Sequence, residues 1–143
     1  MSADTTASKS FARFFPAIAR VLLGLVFFVF GLNGFLWFIP APPPDQMPKA
    51  LVEFSTAMMN TGFLFQLVKG TEVAMGLLLL LNRFVPLALV VLAPVIVNIV
   101  LVHLLLAPSG AVMAIVILAL ELYLAWSYRS AFRPMLAARA VPG

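Results

Sequence analysis

Lys69 and Glu72 stand inside a largely apolar stretch, Phe63 to Leu81, that is long enough to cross a bilayer. An ionisable side chain at the centre of a membrane helix costs about 2.5 to 3.5 kcal/mol on insertion scales. The five leucines from Leu77 to Leu81 offset part of that, at about 0.3 to 0.6 kcal/mol each. Positions three apart share a helix face, so the ammonium of Lys69 and the carboxylate of Glu72 can pair. Two roles fit such a pair: a buried structural ion pair that holds helices together, or a centre that handles a proton or binds a ligand.

Four further candidates lie within the apolar runs: Asn33, Asn98, His103 and Glu121. With a rise of about 1.5 Å per residue, Glu72 falls near the membrane midplane and Glu121 about 3 Å to the inner side. On the outer side, Asn98 lies at about 3 Å, Lys69 at about 4 to 5 Å, Asn33 at about 7 Å and His103 at about 10 Å. This distribution predicts a polar cavity that opens outward. Glu121 is placed to meet Glu72 across the bundle, where one shared proton is favoured over two charges. Asn98 shares a helix face with Pro94, whereas His103, five residues further on, is expected to point elsewhere. Pro94 frees the carbonyl of Val90 and predicts a kink in that helix.

The composition requires a membrane. The chain is 64% hydrophobic and 10% charged, with a mean hydropathy of +1.12, against about 45 to 50% apolar and about 25% charged in soluble domains. The net charge of +4 is not a nucleic-acid signature, because the basic residues sit at the ends of apolar runs. Cysteine is absent, which excludes disulfides, cysteine-ligated metals and dithiol chemistry within this chain. A single histidine excludes bis-histidine haem ligation in one chain, and no metal site is expected.

The elements that must position these side chains are helices. Spans are predicted at about 17–39, 63–81, 85–107 and 111–128, after a flexible polar N-terminus over 1–10. The first apolar run exceeds a signal-peptide core and lacks a small-residue cleavage site, so it is read as a retained helix. Pro40 to Pro44 stop span 1, and residues 48–60 predict an amphipathic helix too short to cross, lying on the membrane or lidding the bundle. Asn82-Arg83 and Pro108-Ser109-Gly110 make tight turns, which imply antiparallel neighbours. The fold class is therefore all-α: a four-helix transmembrane bundle, in one domain, with a short interfacial helix between spans 1 and 2. Gly24, Gly31, Gly34 and Gly76 are expected at close helix contacts.

Lys9, Arg13, Arg20, Arg83, Arg129, Arg133 and Arg139 flank the N-terminus, the turn between spans 2 and 3, and the C-terminus, whereas Lys49 alone occupies the 1–2 loop. The positive-inside rule then places both termini in the cytoplasm.

Several segments together resemble the DoxX family of small four-helix bacterial and archaeal membrane proteins. They are Arg20-Val-Leu-Leu-Gly24-Leu-Val-Phe27, Gly31-Leu32-Asn33, Thr61-Gly62-Phe63, and the run from Glu72 through Gly76 to Arg83. Pro94, Asn98, His103 and the Pro108 to Gly110 turn extend the resemblance, which covers roughly residues 17–133. Many members carry lysine where Asn33 stands. The resemblance implies a multi-pass protein of the bacterial plasma (inner) membrane, tied to quinone-linked respiratory chemistry and oxidative-stress complexes. Its founding case is a small subunit of a quinone-reducing sulfur enzyme. The bundle is also similar to those of vitamin K epoxide reductases, but the absence of cysteine removes their thiol relay.

The first reading is accordingly an accessory subunit, not a stand-alone enzyme, that binds quinone or a similar lipophilic ligand. Glu72, Lys69, Asn98, His103, Asn33 and Glu121 are its candidate contacts, and its expected partners are the lipid bilayer and other membrane or redox subunits or further copies of itself. Two alternatives stand beside it: a structural or assembly partner of a membrane complex, and a small-solute or proton carrier, which would need an oligomer.

Overall fold

The computed structural model describes residues 11–143; the expectation of a flexible segment over 1–10 lies outside the described residues. Among these the fold is helical throughout. The elements are α1 (Phe15–Leu36), α2 (Lys49–Asn60), α3 (Leu64–Leu80), α4 (Val85–Leu105), α5 (Ala111–Ser127) and a short α6 (Arg129–Phe132). Single 3-10 turns lie at Pro44–Gln46, Pro108–Gly110 and Arg133–Leu136.

Among the described residues, three segments are long and apolar enough to cross a membrane: Phe15–Leu36, Val85–Leu105 and Pro108–Ser127. The α3 helix, with 17 residues, is roughly 25 Å long at the standard rise, a little short of a hydrocarbon core of about 30 Å. It joins α2 through a 93° bend, and the pair counts as a fourth candidate span only if taken together. The four long helices contact one another in a ring, α1 against α3, α3 against α4, α4 against α5, and α5 against α1. Leu23, Phe27, Leu79, Leu89, Leu92, Ile96 and Leu124 fill the core. Leu25, Leu87, Val97, Leu104, Val112, Ile115 and Leu122 point outward, and such a surface requires lipid around it.

The α1 helix ends at Leu36, three residues earlier than its apolar run suggested. Trp37 takes a left-handed conformation (φ 51°), its N–H donates to the carbonyl of Asn33 at 3.0 Å, and the Ile39 N–H donates to Asn33 Oδ1 at 2.7 Å. Thr61 makes the bend between α2 and α3. Its hydroxyl donates to the Met58 carbonyl at 2.7 Å and accepts from the Leu64 N–H at 2.9 Å. Gly62 beside it has φ +78°, a value that favours glycine.

A Schellman motif closes α3. Asn82 is left-handed (φ 54°), and the N–H groups of Asn82 and Arg83 bond back to the carbonyls of Leu79 and Leu78, as this motif requires. Arg20 of α1 adds a donor there, its guanidinium reaching the carbonyls of Leu79 and Leu80. Opposite charge at a helix C-terminus is favourable, so Arg20 also ties α1 to α3.

The α1–α3 contact is set by glycine. A β-carbon built at Gly76 would lie 2.5 Å from the Phe28 nitrogen and 2.9 Å from the Gly24 carbonyl oxygen. At Gly31 it would meet the Val73 nitrogen at 2.9 Å. The backbones touch at these points, in the manner of small-residue membrane interfaces. Pro94 stands inside α4, which continues through it.

Candidate functional site

The Lys69 ammonium donates to Glu72 Oε2 at 2.8 Å. The Glu72 side chain is 5% exposed and that of Lys69 23%, so the acid is buried and the base forms the rim. The spacing of three on α3 produces the pair, and α1 fixes its geometry: Gly31 leaves room for Glu72 Cβ, and Gly34 leaves room for the Lys69 stem.

Two cavities meet at this pair. The first, of about 230 Å³, is walled by Lys69, Glu72, Asn98 and His103 and roofed by Leu51, Phe54, Ser55 and Met58 of α2. The apolar face of α2 thus closes over the site, while Lys49 and Glu53 on its other face pair loosely at 3.7 Å in solvent. An adjoining cleft at Pro94, Leu64 and Val68 extends this space along α4. The second cavity, of about 250 Å³, lies behind the pair among Val26 and Phe30 of α1 and Met113 and Ile117 of α5. Lys69, Glu72, Ile99 and His103 line both cavities and form the wall between them.

His103 is held in place. Its Nδ1 lies 2.8 Å from the Ile99 carbonyl, and since a carbonyl only accepts, Nδ1 carries the proton. Nε2 is then the nitrogen left for other partners. The ring packs against Gly110, where any β-carbon would overlap the imidazole.

The structure brings Lys69, Glu72, Asn98 and His103 to one cavity and separates the other two candidates from it. His103 and Asn98, expected to diverge, both face this space, because the cavity wraps around α4 and the imidazole is long enough to reach it. Asn33 does not line it. Its Oδ1 is engaged by the Ile39 N–H, so the residue terminates α1. Glu121 is buried but lines a different cleft, with Leu89, Val90, Ala93, Ala125 and Phe132. Glu121 shares no cavity with Glu72, with which it was expected to meet: Glu72 Oε2 takes Lys69, and Glu121 Oε2 has no hydrogen-bond partner among the described residues.

Of the two placements expected for residues 48–60, on the membrane or as a lid on the bundle, the lid is the one seen, through Leu51, Phe54, Ser55 and Met58. Gly110 as the seat of His103 had no signal in the sequence beyond its place in a turn.

The site offers hydrogen-bond donors (Lys69 Nζ, the Asn98 amide), the Ser55 hydroxyl, the His103 imidazole and one carboxylate in walls that are otherwise apolar. Small-molecule pockets are built in this way, with few polar groups fixing the orientation. No curated protein and no solved structure matches the chain significantly. A family profile described as DoxX matches residues 15–104, a region that contains α1 through nearly all of α4 and every residue of the polar cluster. The chain is a membrane protein of the DoxX family.

Proposed function

We propose that this protein is an accessory subunit that binds quinone or a similar lipophilic ligand, linked to respiratory or oxidative-stress redox chemistry in the bacterial inner membrane. The observation that carries the reading is the buried Lys69–Glu72 pair in the wall between two cavities. A pair needed only for packing has no reason to adjoin empty space on both sides. Lys69 and Asn98 suit the carbonyl oxygens of a head group, His103 Nε2 is an acceptor that suits a hydroxyl donor, and the apolar walls suit a ring and its tail.

In this reading α3 crosses the membrane as the fourth span, α2 lies at the outer surface, and both termini are cytoplasmic. Assembly with other redox subunits, or with further copies of the chain, supplies whatever chemistry the bound ligand undergoes.

Native mass spectrometry of protein purified from membranes in mild detergent tests the proposal. A co-purifying quinone or similar lipophile is expected, and Glu72→Gln should reduce its retention while leaving folding intact. Unchanged ligand content in Glu72→Gln, with stability lost only in Glu72→Ala, would assign the pair to helix packing.

A further inference from the structure

Glu121 is 6% exposed, and its Oε2 is buried without a hydrogen-bond partner among the described residues. Protonated or ionised, that oxygen keeps a lone pair that the chain leaves unmet. Buried polar atoms are almost always satisfied, and an unmet one costs about 1 to 3 kcal/mol. Hydrocarbon cannot supply the partner.

The carboxyl lines a cleft of about 210 Å³ whose remaining walls, Leu89, Val90, Ala93, Ala125 and Phe132, are all apolar. This cleft is distinct from the cavities at Lys69 and lies toward the end of the bundle that carries α6. Small residues flank its opening: Ala93 on α4 and Ala125 on α5. Elsewhere buried Leu92 and Ile96 of α4 and Ala114, Ile117 and Leu124 of α5 fill the bundle interior. A space of this volume suits a single aromatic ring, since an enclosed cavity of about 150 Å³ accepts benzene.

We propose that the Glu121 cleft is a second intramembrane binding site, one that takes a membrane-dissolved phenol or alcohol through its hydroxyl donor. Its chemistry is complementary to that of the outer cavity. Lys69 and Asn98 present donors and select an acceptor such as a carbonyl, whereas Glu121 presents a lone acceptor and selects an O–H. The apolar walls hold the ring and leave the tail in lipid. The site stands independently of the reading given to the Lys69–Glu72 pair.

The test uses the full chain in phosphatidylcholine nanodiscs and two probes: a 4-alkylphenol with a diazirine in its tail, and its O-methyl ether, which has no donor. After photolysis, modified peptides are mapped by mass spectrometry. The phenol is expected to label the segments around Ala93 and Ala125, and the ether about tenfold less, the loss expected for one buried hydrogen bond. Glu121→Leu, which removes the acceptor at similar volume, should reduce phenol labelling to the level of the ether. Equal labelling by the two probes on the unaltered protein would overturn the proposal, as would phenol labelling unchanged in Glu121→Leu. Crosslinking between copies through α4 and α5 that is lost in Glu121→Leu would also overturn it, by assigning the acceptor to a second copy. Peptides containing Lys69 and His103 report separately on the outer cavity, so the two sites stand or fall on different signals.

Discussion

The stem of Lys69 lies directly over the α-carbon of Gly34: a β-carbon at Gly34 would sit 2.5 Å from Lys69 Cγ and 2.7 Å from Cδ. The bare backbone of α1 therefore holds the ammonium against Glu72 on α3. Gly34→Ala should push the Lys69 side chain off its rotamer, at a cost of about 1 kcal/mol, and turn it toward the outer cavity. A modest fall in thermal stability and a larger fall in retained ligand are expected. Equal losses in both would show that the contact matters only for packing.

Removal of one member of the pair should be far worse than its conservative replacement. Glu72→Ala strands the Lys69 ammonium in a low-dielectric wall, and breaking a buried pair in this way costs about 3 to 5 kcal/mol. Glu72→Gln keeps the shape and one acceptor. The double variant Lys69→Met with Glu72→Leu should recover most of the stability lost in Glu72→Ala, because no uncompensated charge remains. Unfolding in detergent, followed by circular dichroism against heat or denaturant, distinguishes the three.

Gly76 and Gly70 lie on the same helix and should respond with opposite signs. At Gly76 the added β-carbon meets main-chain atoms of Phe28 and Gly24, which cannot yield. Gly76→Ala should therefore force α1 and α3 apart and cost roughly 1 to 3 kcal/mol. Nothing lies within 4 Å of a β-carbon at Gly70, so Gly70→Ala should be neutral or stabilising by up to about 1 kcal/mol through helix propensity. Melting temperatures of the two variants, taken in the same detergent, provide the comparison.

Gly110→Ala should displace the His103 imidazole, since the new methyl group occupies the position of the ring. The break in the Nδ1 contact with Ile99 frees the tautomer. In 15N-labelled protein the His103 ring resonances should shift or broaden while the rest of the spectrum is retained. An unperturbed imidazole signal would mean that the turn over Pro108–Gly110 moves instead.

The topology can be read without background because the chain contains no cysteine. Single substitutions Gln46→Cys and Ser109→Cys should react with an impermeant maleimide on intact spheroplasts, whereas Ala140→Cys should react only after lysis. Accessible Ala140→Cys, with Gln46→Cys also accessible, would mean an even number of crossings between these two positions and would remove α3 as a span.

The membrane character, the helical class and the approximate helix limits follow from the sequence, because long apolar runs broken by proline and turn residues leave the backbone no other way to satisfy its hydrogen bonds in lipid. The Lys69–Glu72 pair follows as well, since a spacing of three fixes the azimuth within one helix. The convergence of Asn98 and His103, the separate clefts of Glu121 and Glu72, and the choice between a surface and a lidding position for α2 do not. Helices apolar on all sides carry no stripe that marks an inward face, so their rotation about their own axes is decided by packing. Here the packing is set where Gly24, Gly31 and Gly76 let α1 and α3 touch and where Leu89, Leu92 and Ile96 seat α4. Asn33 shows the same limit from the other side: its depth suggested a ligand, but the tight close of α1 at Trp37 brought the Ile39 N–H to its side chain first. A one-dimensional pattern gives the depth of a polar group in the bilayer, and only the assembled helices decide which cavity that group faces.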